Sequence, residues 1–226
     1  MSKQSPPIDA RMWRVFNDFH YLCDTHRFRK LLGRAELVRM ISDVPGDIVD
    51  AGTFKGISTL QFAHYLEIFR PSGSGRVVSF DTFEAVFPHA RADEASSAVA
   101  HMDTLYEKSA YEQLIEAREA LGLADRIEVV RGDIMGTFEA YLKKNPGFRI
   151  AMLHCDLDVY APTKRLLELA WPRLVPGGIA VFDQYAVRNW GESDAVDEFL
   201  ATLPAPPRLQ TVPFTPTPTA YCVKAA

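Results

Sequence analysis

The sequence predicts a single α/β domain over residues 1–226, built on a doubly wound sheet that is mostly parallel and has an antiparallel edge strand. Short apolar runs with strand character alternate along the chain with longer runs of helical period, which is typical of parallel βαβ units. Several of these apolar runs end in an acidic residue or open into a glycine turn. Such loops are typical of the carboxyl edge of a parallel sheet, where ligands bind.

The chain opens with a helical N-terminal extension over residues 1–44, in which Trp13, Phe16 and Phe19 recur at helical spacing. We expect these rings to pack against the sheet or against a second subunit, so a homodimer is one of two expectations. After Pro45-Gly46, the pattern predicts strand 47–51, helix 56–69, strand 76–80, helix 110–121, strand 127–131, helix 138–143, strand 150–155, helix 162–171, strand 179–182 and helix 194–203.

Two further segments depart from this alternation. Residues 83–109 show no clean period and follow the second strand, so we expect them to form a lid insertion over the ligand crevice. Residues 204–226 are rich in proline, which sheets tolerate at their edges. Edge strands are therefore predicted at 209–212 and 220–223.

Composition excludes several classes of function. The net charge is −4 and no basic patch is present, so we expect no nucleic-acid partner. No apolar run reaches the length of a membrane span, and residues 1–14 lack an apolar secretory core. The three cysteines are too few and too widely spaced to predict a disulfide framework or a zinc site. A cytoplasmic location is the resulting expectation.

A glycine turn follows the first predicted strand and opens a helix, with the sequence Val49-Asp50-Ala51-Gly52-Thr53-Phe54-Lys55-Gly56. Gly52 and Gly56 allow the backbone to turn tightly and to approach a ligand closely. This is not the G-x-G-x-x-G pattern of dinucleotide sites. The carboxylate of Asp50 would repel a pyrophosphate but hold a cationic amino group, which favours S-adenosylmethionine over NAD. A tight turn without function is the alternative.

The next two strand ends are also acidic. Asp81 is well placed to accept hydrogen bonds from two ribose hydroxyls. Asp133 could accept from an adenine amino group, with Ile134 packed on the ring, although either aspartate could instead cap a helix. Further contacts to the cofactor are predicted for Thr53, Phe54, Ser58, Thr82 and Asp156.

Two late segments, residues 153–160 and 176–185, each combine a buried strand with oxygen-bearing side chains at its end. We expect these side chains to converge on one crevice, because the carboxyl ends of parallel strands share one edge. Hard oxygen ligands of this kind suit magnesium and the deprotonation of a substrate hydroxyl. The side chains in question are Asp156, Asp158, Asp183 and Gln184.

Taken in order, these segments resemble the macrocin O-methyltransferase (TylF-type) family over about residues 30–200. The resemblance implies the Rossmann-like class I methyltransferase sheet and a magnesium-dependent transfer from S-adenosylmethionine to a hydroxyl, often of a sugar on a natural product. The motifs that carry it are residues 44–52, Asp81-Thr82-Phe83-Glu84, His154 to Tyr160, Pro176-Gly177-Gly178 with Asp183-Gln184-Tyr185, and Ala195 to Phe199.

The resemblance also implies a set of roles. Asp156, Asp183 and Gln184 correspond to the metal ligands, with the departure that the family usually has a second aspartate where this chain has Gln184. Asp156 is the implied general base. His154 is a second candidate for the base, against the alternative of a buried structural histidine. The aromatic side chains expected to contact a small-molecule hydroxyl substrate are Tyr160, Tyr185 and Trp190.

Two other functions stay open at this point. Asp156-Leu157-Asp158 is a D-x-D segment, which many glycosyltransferases use to bind a nucleotide diphosphate through a metal. The acidic turn at Asp50 argues against that alternative. A nucleotide-binding protein without catalytic activity is the third possibility.

Overall fold

Six strands form one sheet in the order β3-β2-β1-β4-β5-β6. The computed structural model describes residues 10–73, 75–84, 86–87, 89–94 and 110–225. The strands are β1 (Asp47–Ala51), β2 (Val77–Asp81), β3 (Ile127–Arg131), β4 (Ile150–Cys155), β5 (Leu174–Phe182) and β6 (Ala220–Val223). All neighbouring pairs are parallel except β5 and β6, which are antiparallel. The predicted doubly wound sheet is therefore confirmed.

The helices of the described residues are α1 (Ala10–Leu22), α2 (Thr25–Met40), α3 (Ile57–Phe69), α4 (Ala110–Ala120), α5 (Ile134–Lys144), α6 (Tyr160–Ala170) and α7 (Glu192–Ala201). No helix among them is long and apolar enough to cross a membrane. Most of the predicted lid, including residues 95–109, lies outside the described part of the chain.

Both faces of the sheet are covered by apolar side chains. On one face Phe80 and Phe182 belong to a core that includes Phe138 of α5, Leu166 of α6 and Phe199 of α7, among others. On the other face, α2 and α3 bury Leu37 and Phe62 against Ile48 and Met152. A parallel sheet needs this double cover, which explains why its central strands read as continuous apolar runs.

The strand order reverses between β1 and β4, which both lie in the middle of the sheet. The backbone N–H of Asp156 donates to the carbonyl of Ala51 at 2.8 Å, and that of Asp183 donates to Cys155 at 3.0 Å. These bonds hold the ends of β1, β4 and β5 side by side. Ligand crevices of open α/β sheets lie at such a reversal, outside the carboxyl ends.

Several predicted boundaries were wrong. The helix expected from residue 138 begins at Ile134, because the Asp133 side chain accepts from the N–H of Met135 and caps it. β5 begins at Leu174, not at residue 179. Residues 209–212 form only one bridge, between Gln210 and Tyr221, within a segment interrupted by prolines.

Of the two expectations for α1, packing against the sheet was wrong, and packing against a second subunit stays a prediction. No residue of α1 is buried. Trp13 and Phe16 are about half exposed, at 49% and 52%, and Phe19 packs its ring against Phe28 of α2 instead.

Candidate functional site

A cavity of about 770 Å³ opens at the carboxyl edge of the sheet. This is the size range of small-molecule and cofactor sites. One part, here called the turn half, is lined by strand-end residues that include Gly52, Thr53, Phe54, Asp81, Thr82, Asp133 and Ile134. The other part, the acid half, is lined by Asp156, Asp158, Asp183 and Gln184. The predicted convergence of the strand ends is confirmed.

The glycine turn forms the floor of the turn half. Gly52 has a φ of 85°, and a side chain there would collide with the backbone carbonyl of Asp156. Gly56 has a φ of 78° and stands at the N-terminus of α3 without a capping side chain. The turn thus leaves backbone close to the cavity, as the sequence predicted.

Asp50 lies beneath this floor and does not line the cavity. Its Oδ2 accepts hydrogen bonds from the hydroxyls of Thr53 (2.9 Å), Ser58 (2.8 Å) and Thr59 (2.6 Å). Burial would raise the pKa of Asp50, but the hydrogen bonds from His154, Thr59 and Ser58 hold it below its ordinary value. The structure therefore does not bring Asp50 to the position expected for a direct contact with an amino group.

His154 connects Asp50 to the acid half. Its Nδ1 lies 2.7 Å from Oδ1 of Asp50, and its Nε2 lies 3.6 Å from Oδ1 of Asp183. Burial would lower the pKa of His154, but the two carboxylates outweigh this and raise it to about 9. The imidazole is fully buried, so it does not reach the open cavity.

Asp81 joins two loops at the edge of the turn half. One carboxylate oxygen accepts from the N–H of Phe54 at 2.8 Å, and the other accepts from the N–H of Phe83 at 2.6 Å. Both phenylalanines have positive φ, of 49° and 56°. Burial raises the pKa of Asp81, although these two amides favour its charged form. Each carboxylate oxygen has a second lone pair with which a ligand hydroxyl could interact.

Asp133 serves as the cap of α5 and also contacts the segment after β2. Its Oδ1 accepts from the N–H of Met135 at 2.9 Å, and its Oδ2 lies 2.6 Å from Nε2 of His89. The alternative role as a helix cap is therefore confirmed. Because His89, Asp133 and Ile134 all line the cavity, the cap does not exclude a contact with a ligand.

The acid half contains several buried carboxylates with few hydrogen-bond donors, and their pKa values are raised. Burial and the charge of Asp183 raise the pKa of Asp156 to about 7. Burial, followed by the charge of Asp156, raises the pKa of Asp158 well above its ordinary value. Burial likewise raises the pKa of Glu192, whose Oε1 accepts from the N–H of Gln184 at 2.8 Å.

Asp183 is the exception in this cluster. Burial would raise its pKa, but His154 and Lys30 lower it instead. Nζ of Lys30 donates to Oδ2 of Asp183 at 3.2 Å. The second oxygen, Oδ1, has no hydrogen-bond donor among the described residues although it is buried.

These residues fit a divalent cation. One ligand atom from each of His154, Asp156 and Asp183 lies within 4.8 Å of the other two. The orphaned Oδ1 of Asp183 and the raised pKa of Asp156 both indicate a place where positive charge would be stabilising. Gln184 lines the same cavity and could add a neutral oxygen.

The aromatic residues predicted to contact substrate do not line this cavity. The Tyr160 hydroxyl donates to Glu198 at 2.6 Å, and the Tyr185 hydroxyl donates to Asp197 at 2.9 Å. The Trp190 ring packs on Phe87, with centroids 5.7 Å apart, and it is Phe87 that faces the cavity.

One wall of the cavity is formed by residues that the sequence did not indicate as part of a site. This helical wall comes from α1, α2 and the two-residue link between them, and consists of Phe19, Cys23, Arg27, Lys30, Leu31 and Arg34. A helix-period pattern marks these positions only as parts of an amphipathic extension. No strand end or glycine turn accompanies them, so no sequence signal points to the crevice.

The chain is similar in sequence to known methyltransferases. Residues 49–185 match the family model described as a methyltransferase domain. An 8-demethyl-8-(2,3-dimethoxy-alpha-L-rhamnosyl)-tetracenomycin-C 4'-O-methyltransferase of Streptomyces olivaceus is 34% identical over 149 residues, covering 64% of this chain and 54% of that protein. Mycinamicin III 3''-O-methyltransferase of Micromonospora griseorubida is 26% identical over 151 residues, covering 64% and 57%. The chain thus spans a little over half the length of these curated relatives.

Solved structures give the same picture over more of the chain. The calicheamicin methyltransferase CalS11 is 29% identical, with a TM-score of 0.84 over 97% of this chain and 87% of that one. The O-methyltransferase NovP is 22% identical, with a TM-score of 0.72 over 88% of this chain and 80% of the NovP chain. At this identity the similarity is one of fold alone.

Proposed function

Since the chain belongs to the methyltransferase-domain family, we propose that it transfers a methyl group from S-adenosylmethionine to a hydroxyl of a small molecule, assisted by magnesium. The resemblance to macrocin-type O-methyltransferases is confirmed by the relatives found. The main observation behind the proposal is that one cavity contains both the glycine turn with the strand ends Asp81 and Asp133 and the carboxylates Asp156 and Asp183, which could bind a cation.

The turn half suits the methyl donor. The bare backbone at Gly52 and the N-terminus of α3 leave room for the amino-acid end of the cofactor, and Ser58 and Thr53 bound the same space. Asp81 would accept from the ribose hydroxyls with its remaining lone pairs. Asp133 and Ile134 would border the adenine. Asp50 contributes from below, by fixing the hydroxyls of Thr53 and Ser58.

The acid half suits the acceptor oxygen. Asp156, Asp183 and Gln184 would hold magnesium, which when bound supplies positive charge that makes a nearby hydroxyl more acidic. Asp156 lines the cavity and is partly exposed, so it could accept the proton of that hydroxyl. His154 is buried between two carboxylates, which supports a positioning role and not a direct proton transfer.

A deoxysugar hydroxyl on a natural product is the substrate class that the relatives support. The curated relatives are named for a rhamnosyl tetracenomycin and for mycinamicin, and CalS11 is described as a TDP-rhamnose 3'-O-methyltransferase. The helical wall supplies apolar side chains, Phe19 and Leu31, beside the cationic Arg27. This mixture suits a sugar with an apolar or a phosphate-bearing substituent.

Methyl transfer tests the proposal directly. Purified protein would be incubated with methyl-labelled S-adenosylmethionine, magnesium and a panel of TDP-deoxysugars and glycosylated natural products. We expect label in an acceptor, loss of turnover in EDTA and recovery with magnesium. Asp156→Asn should abolish turnover and keep cofactor binding. Release of a nucleoside diphosphate without label transfer would instead support the glycosyltransferase alternative raised by the D-x-D segment.

A further inference from the structure

Lys30 carries a positive charge from the helical wall into the acid half. Its Nζ lies 3.2 Å from Oδ2 of Asp183, and the two residues are 153 positions apart in the chain. The Lys30 side chain is 21% exposed, whereas Asp183 is 1% exposed. A partly buried ion pair of this kind is more strongly coupled than a pair at the open surface.

The same carboxylate is the one that a metal would need. Oδ1 of Asp183 lies 3.6 Å from Nε2 of His154 and has no hydrogen-bond donor among the described residues. Ligand atoms of Asp183, Asp156 and His154 all lie within 4.8 Å of one another. A cation bound there would therefore share one small carboxylate with the Lys30 ammonium.

We propose that Lys30 is a resident counter-ion of this site, on the oxygen of Asp183 that His154 does not face, and that it competes with the divalent cation for Asp183. Two positive charges a few ångströms apart repel each other strongly in a protein environment. Binding of the metal would therefore weaken or break the contact between Lys30 and Asp183. The inference rests on the proposed function, because it concerns the cation of the same acid half.

The competition also connects the metal to the acceptor side of the cavity. Lys30 lines the helical wall together with Phe19 and Leu31. Once displaced from Asp183, its ammonium would be available beside the acceptor, where an anionic substituent could hold it. In the absence of metal it would remain on Asp183 and limit the repulsion between Asp183 and Asp156.

The first test measures metal affinity without any turnover. Binding of Mn²⁺ to wild-type protein, Lys30→Met and Lys30→Arg would be followed by electron paramagnetic resonance. Lys30→Met should bind Mn²⁺ on the order of tenfold more tightly than wild type, because a competing charge is gone. Lys30→Arg keeps the charge and should stay close to wild type.

Lys55→Met is the matched control. Lys55 lines the same cavity, but its ammonium lies over the Phe54 ring, 5.5 Å from the centroid. Its removal changes the net charge by the same amount and should leave Mn²⁺ affinity close to wild type. An equal gain in Lys55→Met and Lys30→Met would reduce the effect to general electrostatics and overturn the proposal.

A second test uses the wild-type protein, so it does not depend on the folding of a variant. Reductive methylation of lysines would be quantified by mass spectrometry with and without Mg²⁺, with Lys55 as the internal reference. Mg²⁺ should accelerate the modification of Lys30 relative to Lys55. An unchanged or slower modification would contradict the release of Lys30.

The outcomes separate this inference from the proposed function. If wild type and Lys30→Met bind Mn²⁺ equally well, the competition is refuted and the metal site stands. If neither protein binds Mn²⁺ or Mg²⁺, both the competition and the metal-assisted part of the proposed function fail. Binding of S-adenosylhomocysteine, measured on the same samples, would still report independently on the methyl-donor half.

Discussion

His154 and Asp50 form a fully buried ion pair, with 2.7 Å between Nδ1 and Oδ1. The two residues face each other across the parallel pair of β1 and β4. Asp50, which precedes the glycine turn, therefore lies below the cavity floor and does not contact the cavity itself. It orients the His154 ring, whose Nε2 faces Asp183 of the acid half.

Replacement of His154 by leucine should strongly destabilise the fold. Asp50 and Asp183 would then be buried without their shared partner, which typically costs about 3–5 kcal/mol. Urea unfolding of the metal-free protein measures this loss. His64→Leu is the control, since His64 is exposed on α3 and its loss should cost less than about 0.5 kcal/mol. Equal stability of the two variants would refute the role given to the buried pair.

Asp81→Ala should weaken S-adenosylhomocysteine binding by about 1.5–3 kcal/mol, the range for hydrogen bonds to a charged group. The same change removes the acceptor of the Phe54 and Phe83 amides, so both should exchange hydrogen faster in the free protein. Calorimetry and hydrogen-exchange mass spectrometry measure the two effects. Faster exchange with unchanged affinity would mean that Asp81 only holds the loops together.

Gln184→Asp should tighten magnesium binding by roughly tenfold, because a third carboxylate adds charge to the ligand set. Titration calorimetry measures this affinity. Gln210→Asp, an exposed change at the far edge of the sheet, adds the same charge away from the cavity and serves as the control. No gain in Gln184→Asp over this control would remove Gln184 from the metal site.

Glu94 anchors the segment after β2 to α6. Its Oε1 accepts from the N–H of Tyr160 at 2.8 Å, and its Oε2 accepts from the N–H of Arg91 at 2.7 Å. The N-cap residue of α6, Val159, has no side chain that could accept a hydrogen bond, so Glu94 takes this capping role at the first residue of the helix. Glu94→Ala should therefore cost about 1.5–3 kcal/mol of unfolding free energy in a urea titration.

The matched control for this anchor is Asp93→Ala. Asp93 is exposed and pairs with the same Arg91, so its loss should cost at most about 1 kcal/mol. If the two variants lose equal stability, the cap on α6 contributes nothing beyond a surface ion pair.

Strand ends were predictable because parallel strands impose a common polarity. Once Asp81, Asp133, Asp156 and Asp183 were assigned to strand ends, a single crevice followed from topology alone. The departures were local. Asp133 already accepts from a backbone N–H, a contact that shifts the start of α5 to Ile134.

The orientation of Asp50 was not predictable in the same way. Its partner His154 is set by the register between β1 and β4, which no local pattern specifies. Lys30 was out of reach for a similar reason, because its contact with Asp183 depends on how α2 crosses the crevice. Contacts between residues so far apart in the chain produce no periodic pattern in the sequence, so they cannot be predicted from it.

Calorimetric titration with S-adenosylhomocysteine measures whether the turn half holds a methyl donor. We expect one site per chain with a micromolar dissociation constant, on the order of −8 kcal/mol. NADH should not compete for this site. Tight binding of NADH, with no heat from S-adenosylhomocysteine, would contradict the assignment of the turn half to a methyl donor.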